Sequence, residues 1–270
     1  MMIERNFHTH TSRCGHAVGK DEDYVKAAIQ AGVKVLGFSD HAPYKDPEPT
    51  ERMNIEQVDD YFSSITALKN KYKDQIEIHV GMEVECYQSE WETLRKWRER
   101  SEYCILGQHN LSYSGKSSYD LLTKKELDAY TDQIEYACRH NLCDYIAHPD
   151  VCMWSYPVID EGVRQIAARI AVISNTYHIP LELNCGSGVR YGKREYQDGE
   201  RYAYPVRIFF EEFAKKNCDV IIGMDIHDPN LFLTDEYLHR ALSVIEGLNC
   251  HILDSYDLIS EASRRKKLFF

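Results

Sequence analysis

Short apolar segments alternate with longer amphipathic segments along most of this chain. Apolar runs bounded by polar or turn-forming residues predict strands, at residues 6–8, 33–39, 76–83, 103–108, 144–147, 180–183 and 220–224. Apolar residues at helical spacing predict helices between them, at residues 21–31, 55–73, 124–140, 161–176, 205–216 and 235–246. This repetition is typical of parallel strands joined by helical crossovers, and it predicts an α/β fold.

The repeat fits a barrel better than an open, doubly wound sheet. No Gly-x-Gly-x-x-Gly turn follows any predicted strand, although nucleotide-binding open sheets use such a turn. A parallel barrel fills about 250 residues, and the chain has 270. We therefore expect one barrel domain over residues 1–270 rather than two smaller domains.

Nearly every predicted strand ends in or just before a His, Asp or Glu. Parallel barrels place their active sites at the carboxyl ends of the strands. Residues two apart in an extended segment also project from the same face. The pattern therefore predicts one basin lined by metal-ligand side chains. The candidate ligands are His8, His10, His16, His41, Glu83, His109, His148, Asp225 and His227.

Each of these residues alone is more often a loop, core or surface residue than a ligand. Together they account for seven of the twelve histidines, which favours a metal centre. Imidazole and carboxylate donors together suit Zn²⁺, Mn²⁺ or Fe²⁺ and argue against Ca²⁺. The remaining histidines are predicted to be structural or surface residues: His79, His140, His178, His239 and His251.

Composition narrows the classes of partner and compartment. The chain has 32 Lys and Arg against 43 Asp and Glu, and this acidic balance disfavours nucleic acid as a partner. It has no signal-peptide pattern and no apolar run of about 18 residues, so neither secretion nor membrane insertion is expected. Nine scattered cysteines without a Cys-x-x-Cys pair fit a reduced, cytoplasmic protein. The basic residues 264–267 are expected to form the solvated end of a terminal helix.

Taken in order, the motifs resemble the PHP (polymerase and histidinol phosphatase) family. They are His8-x-His10, His16, Ser39-Asp40-His41, Gly81-Met82-Glu83, Gln108-His109, Ala147-His148-Pro149 and Gly223-x-Asp225-x-His227. The segment 181–190, followed by Tyr204-Pro205, resembles the histidinol-phosphatase branch. Residues 191–203 are predicted to form a longer loop than that branch is expected to have.

The resemblance implies a distorted, TIM-like (β/α)7 barrel with a centre of two or three divalent ions. One ion would take His8, His10, Glu83 and Asp225. A second would share Glu83 and add His109 and His148. A third would take His16, His41 and His227.

The resemblance further implies hydrolysis of L-histidinol phosphate, a step of histidine biosynthesis, by a hydroxide that bridges two metal ions. Arg190, and after it Arg194, are candidates to clamp the substrate phosphate. Asp40 and Asp150 neighbour ligand histidines, so each is a candidate to orient them or to donate a proton.

Two alternative functions stay open: a related phosphatase for another small phosphate ester or nucleotide, and a non-catalytic, metal-stabilised domain. The oligomeric state is not predicted.

Overall fold

The computed structural model describes residues 3–45, 51–112 and 115–269. The strands in these residues are β1 (Arg5–Asn6), β2 (Val35–Phe38), β3 (Glu77–Val84), β4 (Tyr103–Leu106), β5 (Tyr145–Ile146), β6 (Leu181–Asn184), β7 (Arg194–Tyr196), β8 (Gly199–Arg201), β9 (Asp219–Gly223) and β10 (His251–Ile252). The helices are α1 (Asp21–Gln30), α2 (Val58–Lys71), α3 (Trp91–Arg100), α4 (Lys124–Arg139), α5 (Glu161–Tyr177), α6 (Ser187–Arg190), α7 (Arg207–Lys215), α8 (Glu236–Val244) and α9 (Leu258–Phe269). Each predicted strand and helix overlaps one of these elements.

The expected distorted barrel is confirmed. Its parallel sheet has the strand order β1-β2-β3-β4-β5-β6-β9-β10 within the described part of the chain. Beyond β1 and β9 the chain closes the ring, because His10 N donates to Ile226 O (2.9 Å) and Ile226 N donates to His8 O (3.1 Å). Nearer the start of β9, the strand β10 pairs with it in parallel, with Ile252 in register with Val220. The short β10 therefore occupies the part of the seam that β1 and β9 leave open.

The barrel strands bury side chains on both faces, as expected when helices cover the outside and the interior is filled. Val35, Tyr103 and Ile221 belong to an apolar cluster inside the barrel, and Leu258 and Ala262 of α9 join the same cluster. Alternate residues such as Leu36 and Leu106 pack outward with the surrounding helices. Helix α9 thus covers the end of the barrel where the strands begin.

Local sequence signals set several helix ends. Thr123 Oγ1 accepts a hydrogen bond from Glu126 N (3.3 Å), and the Glu126 carboxylate accepts one from Thr123 N (2.6 Å), which forms a capping box at the start of α4. Asp160 caps α5 through Val163 N (2.9 Å). Helix α5 ends at Tyr177, and the next residue, His178, caps it with a left-handed φ of 53°.

Two predictions about loops and surface need correction. The loop predicted at residues 191–203 contains an antiparallel hairpin formed by β7 and β8. The terminal basic helix exists as α9, but Arg265 is only 2% exposed. Its guanidinium donates to the carbonyl oxygens of Asp144 and His178, so it is structural rather than solvated. No helix in the described ranges is long and apolar enough to cross a membrane.

Candidate metal centre

The predicted ligand residues lie at the carboxyl ends of the barrel strands. Glu83 is in β3 itself, whereas His41, His109 and His148 lie just beyond β2, β4 and β5. The loops after β1 and β9 supply the other five, which are His8, His10, His16, Asp225 and His227. The fold therefore brings all nine residues to one end of the barrel.

The side-chain donor atoms of this cluster lie close enough together for several of them to share one ion. Donor atoms within 4.8 Å of one another define four groups made of predicted ligands: His8, His10 and Glu83; His41, Glu83 and His109; His8, His148 and Asp225; and His16, His41 and His227. The last group coincides with the third ligand set implied by the resemblance, while the other three share His8 or Glu83.

Glu83 lies at the middle of the cluster. Its Oε1 is 3.0 Å from His148 Nε2, and its Oε2 is 3.1 Å from His41 Nδ1. The same Oε2 lies 3.4 Å from the Nε2 atoms of both His8 and His10. A carboxylate in this position can contact two cations at once, which an imidazole does not normally do.

Several buried donor atoms in the cluster have no hydrogen-bond partner among the described residues. They are His8 Nε2, His10 Nδ1, His10 Nε2, Glu83 Oε2, His148 Nδ1, Asp225 Oδ1 and His227 Nε2. An unsatisfied buried polar group costs about 1–3 kcal/mol, so such groups are uncommon unless a ligand completes them. The donor set and its unsatisfied atoms both fit divalent cations.

The electrostatics keep the carboxylates ionised. Burial raises the pKa of Glu83, but His41 and His8 outweigh it and hold that pKa well below its usual value. For Asp225, neighbouring histidines likewise outweigh the burial and lower the pKa. Burial lowers the pKa of His227 to about 4, with a further contribution from His10, so His227 is neutral near pH 7. Ionised carboxylates and a neutral imidazole are the forms that bind metal ions.

Two of the candidate ligands have an unusual backbone. His148 has a φ of 26° and Asp225 a φ of 50°, a region that residues other than glycine seldom adopt. Such conformations cluster at functional sites and persist where surrounding contacts hold them.

Seven residues of the cluster form the floor of a cavity of about 440 Å³, whereas His8 and His10 are not among its lining residues. Aromatic side chains and a few polar groups line its sides. These lining residues are Glu51, Tyr119, Trp154, Ser187, Tyr191 and Tyr204. A cavity of this size holds a small organic molecule, and its polar floor would receive the charged end of that molecule.

The model of the PHP domain matches residues 6–186, which is more than half of the chain. The chain belongs to the PHP family. A probable histidinol-phosphatase of Deinococcus radiodurans is 26% identical over 239 residues, covering 82% of this chain and 85% of that protein. A probable histidinol-phosphatase of Schizosaccharomyces pombe is 25% identical and covers 92% of this chain and 84% of that protein.

Solved structures of the same kind share the fold. The histidinol phosphate phosphatase of Lactococcus lactis, crystallised with zinc, L-histidinol and phosphate, superimposes with a TM-score of 0.68 at 17% identity. That match covers 93% of this chain and 95% of the other. A histidinol phosphatase structure from Listeria monocytogenes gives a TM-score of 0.67 at 18% identity, covering 87% of this chain and 99% of the other. Both support the PHP-type barrel.

The two candidate phosphate-binding arginines lie beside the cavity wall of this PHP-family chain. Arg190 donates to Ser187 Oγ (3.2 Å), and the Arg194 guanidinium stacks 3.9 Å from the centre of the Trp154 ring. Ser187 and Trp154 line the cavity, but neither arginine is itself among its lining residues. Their role in phosphate binding stays a prediction.

The two candidate aspartates occupy different positions. Asp40 Oδ1 accepts a hydrogen bond from His41 N (2.8 Å) and lies 3.5 Å from His10 Nδ1, so a role in orienting His10 stays a prediction. Asp150 Oδ2 accepts from Val206 N (2.6 Å), and Asp150 makes no hydrogen bond to a histidine ring among the described residues. Burial raises the pKa of Asp150 to about 7. Neither aspartate lines the cavity.

Sequence reasoning missed Glu182 and Asn184 as members of the site. Both are fully buried or nearly so, and Glu182 contacts His8 while Asn184 contacts both Glu182 and Asp225. The only signal in the sequence is the alternation of a Glu and an Asn with leucines in β6, and this pattern fits a strand with one solvated face as well as a barrel strand buried on both faces. The five remaining histidines, which were predicted to be structural or surface residues, belong to none of these donor groups.

Proposed function

We propose that this protein is a metal-dependent phosphatase that hydrolyses L-histidinol phosphate to L-histidinol and phosphate. The observation that carries the proposal is the convergence of nine metal-type donor residues at one end of the barrel, seven of which line one small cavity. The two curated relatives described above are named probable histidinol-phosphatases and are matched over most of their length, which supports the choice of substrate.

The cluster fits two or three divalent ions. The sets proposed to hold them are His8, His10, Glu83 and Asp225; Glu83, His109 and His148; and His16, His41 and His227. Bound there, such ions would supply the Lewis acidity that activates water and polarises a phosphoryl group. Zinc is the first choice, because imidazole-rich sets with a few carboxylates suit it.

The protein side chains around this floor match the chemistry of the proposed substrate. L-histidinol phosphate carries an imidazole ring and an amine in addition to its phosphate. Tyr119, Trp154 and Tyr204 offer aromatic faces to the ring, and the Glu51 carboxylate at the cavity offers a counter-charge to the amine. The ionised Glu83 and Asp225 hold negative charge on the floor, so phosphate would enter only where cations offset that charge.

The roles of the remaining polar residues form part of the proposal. Arg190 is proposed to pair with the substrate phosphate, with Arg194 as the second choice, because both contact residues of the cavity wall. Asp40 is proposed to orient His10. Asp150 is proposed to hold the segment of Tyr204 in place through Val206 N, as its carboxylate faces that backbone rather than the cavity.

The direct test is phosphate release from L-histidinol phosphate, p-nitrophenyl phosphate and a nucleoside monophosphate, using zinc- or manganese-loaded protein and an EDTA-treated control. We expect a large, chelator-sensitive preference for L-histidinol phosphate. Turnover of the other esters alone would reject this substrate but keep a metal phosphatase. No turnover with any metal would favour a non-catalytic, metal-stabilised domain.

Two variants test the metal assignment separately from the substrate. His109→Ala and Asp225→Ala each remove a proposed ligand, so both are expected to bind less metal and to lose most phosphatase activity. His239→Ala is the matched control, because this histidine is exposed and lies 3.5 Å from Asp235, the residue before α8, outside the metal-donor cluster. Full metal content and full activity in both ligand variants would show that the proposed centre is wrong.

A further inference from the structure

Strand β6 lies between β5 and β9, both of which lead into candidate ligands, yet β6 contributes no predicted ligand itself. Instead it places Glu182 and Asn184 behind the cluster, where both are buried. We propose that Glu182 is a positioning residue that holds a proton on His8 Nδ1 and thereby leaves His8 Nε2 free to bind a cation. This inference rests on the proposed metal centre, and it adds a residue that no ligand motif includes.

Glu182 joins two of the candidate ligands. Its Oε1 lies 2.8 Å from His8 Nδ1, and both side chains are completely buried. Its Oε2 accepts hydrogen bonds from the backbone N of His148 (2.8 Å) and from Asn184 Nδ2 (2.8 Å). Each carboxylate oxygen is therefore engaged by at least one partner on the metal-facing side of the barrel.

The directions of these hydrogen bonds follow from their partners. The backbone N–H of His148 can only donate. Asn184 uses its Oδ1 to accept from Gly186 N (2.7 Å), so its amide nitrogen must face Glu182. An ionised carboxylate only accepts, so His8 must donate from Nδ1. In the neutral imidazole, which is the form that binds a cation, the lone pair of His8 is then on Nε2, which faces Glu83 Oε2 at 3.4 Å and Asp225 Oδ1 at 3.5 Å.

The barrel is built to admit this carboxylate. A Cβ atom at Gly223, on the neighbouring strand β9, would come within 1.7 Å of Glu182 Oε1. Any side chain at Gly223 would therefore displace Glu182 from His8. Glu182 also accepts a hydrogen bond from the backbone N of His148, a residue with positive φ. One side chain therefore restrains two candidate ligands that follow different strands.

Replacing Glu182 with Gln changes the proton pattern but hardly changes the shape. Two donors, His148 N and Asn184 Nδ2, converge on the Oε2 position, so the amide oxygen of Gln belongs there. Its amide NH₂ then faces His8 Nδ1, which has to accept. The neutral imidazole would consequently carry its proton on Nε2, the nitrogen proposed to bind the ion. Loss of such a partner typically weakens metal affinity about 10–100-fold.

The test compares wild type, Glu182→Gln and Glu102→Gln. Glu102 also hydrogen-bonds a histidine, His79, but this pair lies outside the cluster, so it controls for loss of a carboxylate–histidine contact as such. Zinc binding is measured by competition with a chelating indicator, and bound zinc is counted by mass spectrometry. Circular dichroism melts check folding. ¹⁵N NMR of histidine-labelled protein reports which ring nitrogen of His8 carries a proton.

We expect zinc binding to weaken 10–100-fold at one site in Glu182→Gln, with the ion at His16, His41 and His227 retained, and no change in Glu102→Gln. The NMR spectra are expected to show a proton on His8 Nδ1 in wild type and its loss in Glu182→Gln. Unchanged zinc affinity in a folded Glu182→Gln protein would overturn the inference. A wild-type His8 without a proton on Nδ1 would also overturn it, and this measurement needs no variant to fold.

Different results would overturn the proposed metal centre and the proposed role of Glu182. If wild-type protein binds no zinc, the proposed metal centre is wrong, and the positioning role of Glu182 is lost with it. If wild type binds zinc and Glu182→Gln binds it equally well, the metal centre stands and only the positioning role of Glu182 is lost.

Discussion

Some residues of this barrel matter for the space they leave and not only for the groups they carry. Gly107 on the chain after β4 illustrates this point, because a Cβ atom there would come within 1.6 Å of Glu83 Oε1. The neighbour that would be displaced is the carboxylate at the middle of the cluster. Such a glycine is part of the site even though it offers no ligand.

Gly107→Ala is therefore expected to move Glu83 and to weaken metal binding about 10–100-fold, the usual range when a ligand's support is lost. A zinc titration of the purified variant measures the effect. Gly162→Ala provides the matched control, because this glycine lies in the first turn of α5 and a Cβ there would come no closer than 3.0 Å to Asp160. Equal zinc affinity in both variants would indicate that Glu83 does not bind metal.

The carboxylate of Glu102 should make the stability of the folded protein depend on pH. Burial raises its pKa, but hydrogen bonds from His79 and Lys69 outweigh the burial and lower the pKa overall. A lowered folded-state pKa means that the stabilisation is complete above the unfolded-state value and is lost as pH falls below about 4. Glu102→Gln should thus be less stable than wild type at pH 7, by about 1 kcal/mol or less. The difference should shrink in denaturant titrations at low pH; a difference that grows would contradict this assignment.

At this scale the sequence pointed to the candidate ligands that the fold brings together, but not to the residues that support them. His41, His109 and His148 were visible because each follows an apolar run directly. Glu182 was not, because alternation of leucine with polar residues is equally typical of a strand with one solvated face. Whether the alternate face meets water or the barrel interior depends on closure of the sheet, which is a tertiary property.

At the scale of elements, helix α9 is attached to the barrel by a buried ionic cluster. Arg98 of α3 donates to Asp144 Oδ1 (2.8 Å), and all of its side chain is buried. Arg265 of α9 adds hydrogen bonds to Asp144 O (3.4 Å) and to the Tyr256 hydroxyl. Two helices and the start of β5 are thereby joined where the barrel strands begin.

Arg265→Ala should consequently destabilise the protein by about 3 kcal/mol, because it removes a buried charge partner together with its hydrogen bonds and packing. The adjacent Arg264→Ala is a close control. Arg264 is largely exposed and pairs with Glu261 in the same helix, so its loss should cost less than about 1 kcal/mol. Equilibrium urea unfolding compares the two, and similar losses would mean that α9 does not depend on the buried cluster.

Elements that were missed share a weak hydrophobic pattern. Helix α3, in the segment WETLRKWRER, buries only Thr93, Leu94, Trp97 and Arg98, and one of these is a charged residue. The β7–β8 hairpin has mostly exposed or half-exposed residues and no apolar alternation. Strand β10 has two residues and forms only because the seam beside β9 is open. Long buried strands were predictable, whereas elements stabilised by particular tertiary partners were not.

For the whole molecule, the cluster lies where the barrel closes. His8 and His10 flank the Thr9–Ile226 bridge between the chain after β1 and the chain after β9, and Asp225 and His227 flank it on the other side. The other candidate ligands follow β2, β3, β4 and β5. Ions held by this set would cross-link strand ends that the polypeptide connects only through long helical crossovers.

Metal removal should therefore lower the stability of the whole barrel rather than that of one loop. A ligand that binds only the folded state contributes about 2.7 kcal/mol when its free concentration is a hundred times its Kd. For a chain of this size that corresponds to a fall in Tm of about 5–10 °C after chelation. Calorimetry with and without EDTA, followed by addition of zinc, measures the fall and its recovery. Gly107→Ala should show a smaller zinc-dependent shift, because its Glu83 is displaced. A Tm unaffected by EDTA and by added zinc in wild type would mean that the buried donors are satisfied without metal, contrary to their unpaired state in the fold.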